Sequence, residues 1–96
     1  MVLLVGALAA CATAPPVQEM SDARQAIAAA REAGAEEFAA GQLRDAEARL
    51  EAAEAYLSDG DSSGFWSLAR RDALAAKEIA FDALLRSREA REKAAD

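Results

Sequence analysis

The chain has 96 residues, room for one small domain. Its net charge of −6 and pI near 4.6 argue against a nucleic-acid binder and against attraction to anionic headgroups, since both need a basic face. One cysteine and no histidine rule out an internal disulfide and any Ser-His-Asp or Cys-His catalytic arrangement. Much of the 53% hydrophobic content is alanine, whose burial contributes little. The larger apolar side chains, at ~1.5–3 kcal/mol each when fully buried, form a thin core against the ordering entropy of the chain. A marginally stable fold, or one helped by a partner, is expected.

Val2 to Ala10 is an apolar run too short to span a bilayer, which takes about 20 residues, but of a length that suits a signal-peptide core. It ends in Leu8-Ala9-Ala10-Cys11, which resembles the lipobox of bacterial envelope lipoproteins. Small side chains beside the cut suit a membrane-embedded peptidase, and a thiolate can form a stable thioether with a lipid donor. The resemblance implies residues 1–10 as signal peptide, 11–20 as lipidated Cys11 and tether, and 21–96 as the mature domain. One departure is that no Lys or Arg precedes Arg24. Cys11 to Gln18 reads as a short extended linker, because Pro15 and Pro16 disfavour helix. Several acyl chains, at ~0.8 kcal/mol per buried methylene, would anchor the protein firmly to a membrane. In such lipoproteins an aspartate after the cysteine tends to mean inner-membrane retention. Ala12 stands there, which implies an outer-membrane lipoprotein facing the periplasm.

From Ser21 onward the chain consists almost wholly of good helix formers and lacks proline. Ser21 and Asp22 suit an N-terminal cap and Gly34 a C-terminal stop for a first helix. Ala35 to Gly41, with Phe38, reads as a joint, and a second helix is predicted from about Gln42 to Leu57. Asp59-Gly60-Asp61-Ser62-Ser63-Gly64 is a turn, and a third helix then continues to about Ala94, roughly 45–48 Å long. Leu43, Ala46, Leu50, Ala53 and Leu57 form a coiled-coil-type seam on the second helix. Ala69, Ala73, Ala76, Ala80, Ala83, Ser87, Ala90 and Ala94 form a stripe of small residues on the third. Folding back at the turn sets large knobs against small holes, with Leu50 near Ala69 and Ala73 and Leu43 near Ala76 and Ala80. The expected fold is all-α: an antiparallel hairpin of the second and third helices with a shorter N-terminal helix.

Leu74, Phe81 and Leu85 make a second apolar stripe on the third helix, roughly opposite the alanines. Two covers suit it: the first helix, through Ile27 and its alanines, or another chain. Trp66, beside Phe65 and near Tyr56 and Leu57, either closes the hairpin's end in an aromatic cluster or anchors an envelope protein or glycan.

Ala28-Ala29-Ala30-Arg31-Glu32-Ala33-Gly34-Ala35-Glu36-Glu37-Phe38-Ala39, with Leu43-x-x-Ala46-x-x-x-Leu50-x-x-Ala53 and Gly60-Asp61, resembles an uncharacterised alanine-rich helical domain of bacterial lipoproteins. That domain follows a lipobox, alone or ahead of an OmpA-like peptidoglycan-binding domain, and the likeness runs from about Met20 to Leu85. The family often has proline where this chain has Ala40, and an aromatic straight after Gly-Asp where this chain inserts Ser62-Ser63-Gly64 before Phe65. The likeness implies location and fold, and no activity. The helix-turn-helix also resembles a single tetratricopeptide-like unit, too few for a binding groove, since such repeats need about three.

Asp59-x-Asp61-x-Ser63-Gly64 copies the first half of an EF-hand loop, but its twelfth position, where calcium needs a bidentate glutamate, is Arg70. The acidic pairs Glu36-Glu37 and Glu51 with Glu54 lack any sign of a pocket, and Arg44, Asp45, Glu47, Arg49 and Glu51 read as a solvated helix face. No catalytic residue, metal site or cofactor is expected. The sequence thus points to a non-catalytic, lipid-anchored helical module acting through an envelope protein or self-association, with Trp66, Leu74, Phe81 and Leu85 as its contact residues. The alternative is a structural, oligomeric alanine-coil lipoprotein that spaces or reinforces the envelope.

Overall fold

A computed structural model of the chain describes residues 14–59 and 63–95. The expected lipobox residues Leu8, Ala9 and Ala10, the expected lipidation site Cys11 and the turn residues Gly60, Asp61 and Ser62 lie outside them. Among the described residues the only regular structure is helical: α1 (Val17–Glu32), α2 (Ala35–Phe38), α3 (Ala40–Asp59) and α4 (Ser63–Ala95). The all-α expectation holds, with four helices where three were expected.

α1 begins four residues before the expected cap at Ser21. Pro16 occupies the N-cap position, its ring presetting the backbone there, and its carbonyl accepts the Met20 N–H at 3.0 Å. Ser21 and Asp22 lie inside the helix and accept side-chain hydrogen bonds from Gln25 and Gln18 at 3.2 and 2.8 Å. The expected extended linker therefore ends sooner: Pro16 is fully buried and Val17 and Gln18 are helical.

Gly34 stops α1 as expected. It holds φ +100°, and its N–H bonds to the Arg31 carbonyl at 3.0 Å. The joint after it is more ordered than a loop. The Gly34 carbonyl accepts the Glu37 and Phe38 N–H groups at 3.0 and 2.9 Å, closing the single turn of α2. Ala39 breaks the helical path, and Ala40 is the first residue of α3.

The core is made largely of alanine. Ala69, Ala73, Ala76, Ala80, Ala83 and Ser87 of α4 are all at 0% exposure, whereas Ala90 is half-buried and Ala94 exposed. Leu43, Ala46 and Ala53 of α3 are buried against this face, with Leu50 and Leu57 partly covered. Two clusters set the directions. Met20 and Ala53 share one with Ala69 and Ala73, while Ala26, Ile27, Ala30, Leu43 and Ala46 share the other with Ala80, Ala83 and Leu84. Thus α1 runs parallel to α4, and α3 runs antiparallel to both. Small side chains on all three helices let the axes approach at the short end of the usual ~8–10 Å range.

α1 docks on α4, but not on the stripe the sequence offered it. It shares the alanine face with α3, because the buried positions of α4 from Asp72 to Leu84 span an arc of about 120°, wide enough for two helices of small residues. Leu74, Phe81 and Leu85 stay 40%, 48% and 59% exposed. Along the outer edge of α1 and α3, Arg24 pairs with Glu54 at 3.1 Å and Arg31 pairs with Glu47. These half-exposed pairs contribute ~0–1 kcal/mol each, serving register more than stability.

Candidate interaction surface

The exposed face of α4 follows from helical spacing. Leu74, Phe81 and Leu85 fall at seven- and four-residue intervals, so they line one side within about 40° of one another. Lys77, Glu78, Asp82, Arg86, Arg88 and Glu89 surround them with both signs of charge. Phe81 leans toward α1 and, with Asp22, Gln25, Ala26, Ala29 and Lys77, lines a shallow groove of about 380 Å³. Leu85 borders an open depression near the far end of α4, with Asp82, Arg86, Arg88, Glu89 and Glu92.

Trp66 does not join this stripe. It lies two turns from Leu74 and about 80° around the helix, half-buried near the start of α4. Beside it, Phe65 is 38% exposed and meets Tyr56 of α3, ring centroids 6.1 Å apart at 40°. The structure therefore separates the proposed contact residues into a stripe of three and a Trp66 end.

Two groups that sequence reasoning passed over are prominent. Asp72 has a side chain only 4% exposed, and its carboxylate accepts from Arg49 of α3 at 3.5 Å and from Arg71 at 3.4 Å. That hydrogen bond and the neighbouring negative charge raise the Arg71 pKa above its ordinary value. The signal was available: Asp72 is three residues after Ala69 and four before Ala76, at a core-facing position. Arg70 entered the sequence argument only as an obstacle to calcium. In the fold it donates to Glu19 Oε2 at 3.2 Å and to the Ala14 carbonyl at 2.8 Å, fastening the incoming chain to α4. Nothing in helical periodicity announces a partner 56 residues away.

Among the described residues, no group of three acidic, histidine or cysteine side chains is placed to hold a metal ion. Glu51 and Glu54 line an open groove of about 460 Å³ between α1 and α3, where Glu54 meets Arg24. Glu36 faces Arg31 at 3.7 Å, and Glu37 is exposed. No described helix is long and apolar enough to cross a membrane.

Comparison with curated proteins and with solved structures gives no significant match. A family model covers residues 18–96, taking in all four helices but for the first residue of α1. The chain therefore belongs to the family described as Domain of unknown function (DUF4398).

Proposed function

We propose that the protein is a non-catalytic, lipid-anchored helical module of the bacterial cell envelope, facing the periplasm and acting by protein–protein contact. Anchoring is supported by the Leu8-Ala9-Ala10-Cys11 pattern at the end of an apolar run. The contact role is carried by one observation: Leu74, Phe81 and Leu85 remain exposed after both α1 and α3 have packed on α4. The domain is a helical hairpin, α3 against α4, with α1 as the shorter third member and α2 as its joint. Ala12 after the lipidated position favours the outer membrane.

The test is cross-linking in intact envelopes, followed by capture of the protein and of its Phe81→Glu variant. A specific neighbour lost in Phe81→Glu supports the reading, provided the variant melts like the parent. Capture unchanged by the substitution rejects the stripe as the working surface. A second reading, an oligomeric spacer with the stripe as its seam, draws support from the length of α4, 33 residues or about 50 Å. Light scattering on the protein without acyl chains separates the two: a dilution-sensitive oligomer supports the spacer, and a persistent monomer supports the adaptor.

A further inference from the structure

The fold has two unlike ends. At one, the joint around Gly34 meets the last turns of α4, where Arg91 donates to the Ala33 carbonyl at 3.3 Å. At the other, the start of α4 meets the incoming chain, where Arg70 donates to the Ala14 carbonyl at 2.8 Å. We propose that this second end, carrying Tyr56, Phe65 and Trp66, rests on the lipid surface, with α4 standing away from it and Ala95 outermost. The inference rests on acylation of Cys11 and adds an orientation to it.

The place where the chain joins the body is fixed. Pro16 is fully buried, and Arg70, in the second turn of α4, holds both Ala14 and Glu19. Cys11 precedes Ala14 by three residues, so at ~3.3–3.6 Å per residue the two α-carbons are at most about 11 Å apart. A headgroup layer is roughly 5–7 Å deep. An acylated Cys11 therefore keeps Ala14 at most about 11 Å of extended chain away from it, and Arg70 ties that point to the start of α4. The far end of α4 lies about 50 Å along the helix.

The side chains gathered at the held end suit that position. Trp66 is one turn below Arg70 on the same side of α4, and Phe65 with Tyr56 flanks it. Of the five aromatic residues in the chain, only Phe38 and Phe81 lie elsewhere. Tryptophan and tyrosine favour the boundary between hydrocarbon and water, where an amphipathic ring satisfies both sides. Val17, at 72% the most exposed large apolar residue described, lies three residues beyond Ala14 at the same end. At this end Glu19 and Asp72 are paired with Arg70 and Arg71, while Asp59, the last residue of α3, is exposed.

The chain's single tryptophan is the reporter. The acylated protein, its Cys11 modification verified by mass spectrometry, is placed in phosphatidylethanolamine–phosphatidylglycerol vesicles containing brominated lipid. The Trp66→Phe, Phe81→Trp double variant is measured beside it, with helicity checked for both. We expect Trp66 to shift to the blue and lose most of its emission to the bromines, while the tryptophan at position 81 keeps its emission. Quenching at both positions means a bundle lying flat and overturns the orientation. Quenching at neither means an end held off the lipid, available to a protein instead, and also overturns it. An unmodified Cys11 in material from the native host overturns the anchor and the orientation together, whereas the other two failures leave the anchor standing.

Discussion

Ala80→Leu tests the alanine packing most directly. Ala80 has 0% exposure and shares its cluster with Ala26, Ile27, Ala30, Leu43 and Ala46, so both α1 and α3 close over it. Leucine adds three carbons, which would gain ~2.4 kcal/mol of transfer energy if a space awaited them. Ala80 is covered from two sides, so the added carbons must displace a neighbour. Accommodation requires α4 to move from one neighbour, undoing contacts along a seam of rigid rods. Overpacking of this kind costs about 1–3 kcal/mol net, and the two-sided cover places Ala80→Leu toward the top of that range. For a domain this small, with total stability on the order of 5–10 kcal/mol, the expected fall in melting temperature is roughly 10–20 °C. Thermal and urea unfolding followed by circular dichroism at 222 nm measure it. Ala55→Leu, the same change at an exposed site on α3, is the control and should stay within about 0.5 kcal/mol of the parent. If Ala80→Leu matches that control, close apposition of small side chains is not what holds the helices together.

Other perturbations have equally definite outcomes. Gly34→Ala forces a Cβ onto φ +100° and to within 3.2 Å of the Phe38 ring, and should cost about 1–3 kcal/mol by urea unfolding. Gly41→Ala meets no atom within 4 Å inside α3 and should stabilise by about 0.5–1 kcal/mol; a loss there would contradict the helical assignment. A double-mutant cycle on Arg49 and Asp72 should show coupling of about 0.5–2 kcal/mol, against ~0–0.5 for the exposed pair Arg24 and Glu54. Equal couplings would mean that the burial of Asp72 is immaterial. Arg70→Ala frees Ala14 and Glu19, and should speed amide hydrogen exchange at Val17 and Met20 while leaving the amides of the Ala80 region protected.

How much of this was legible beforehand follows from the reach of each interaction. The seams of Leu43 to Ala53 and Ala69 to Ser87 could be read because helical periodicity is local, and one rotation angle per residue decides which face is buried. The stop at Gly34 was readable for the same reason, since a positive φ is a property of one residue. The start of α1 was not, because Ser21 and Asp22 carry every mark of a cap and only the burial of Pro16 against the rest of the fold moves the boundary. The side of α4 that α1 would choose was equally hidden. A stripe of Leu74, Phe81 and Leu85 offers more transfer energy per residue than alanine does, but the alanine face gains from two helices at once. The proposed lipobox, Leu8-Ala9-Ala10-Cys11, would be read by other proteins, so no packing argument bears on it.

Both α1 and α3 bury their apolar sides against a helix that begins only at Ser63. Even the tail of α1 has its Ala33 carbonyl occupied by Arg91, 58 positions later. Before α4 is present, α1 and α3 have only each other to pack on, which leaves their α4-facing alanines and leucines uncovered. Closing the core therefore depends on α4, and the apolar sides of the earlier helices are fully covered only when its residues are available to them.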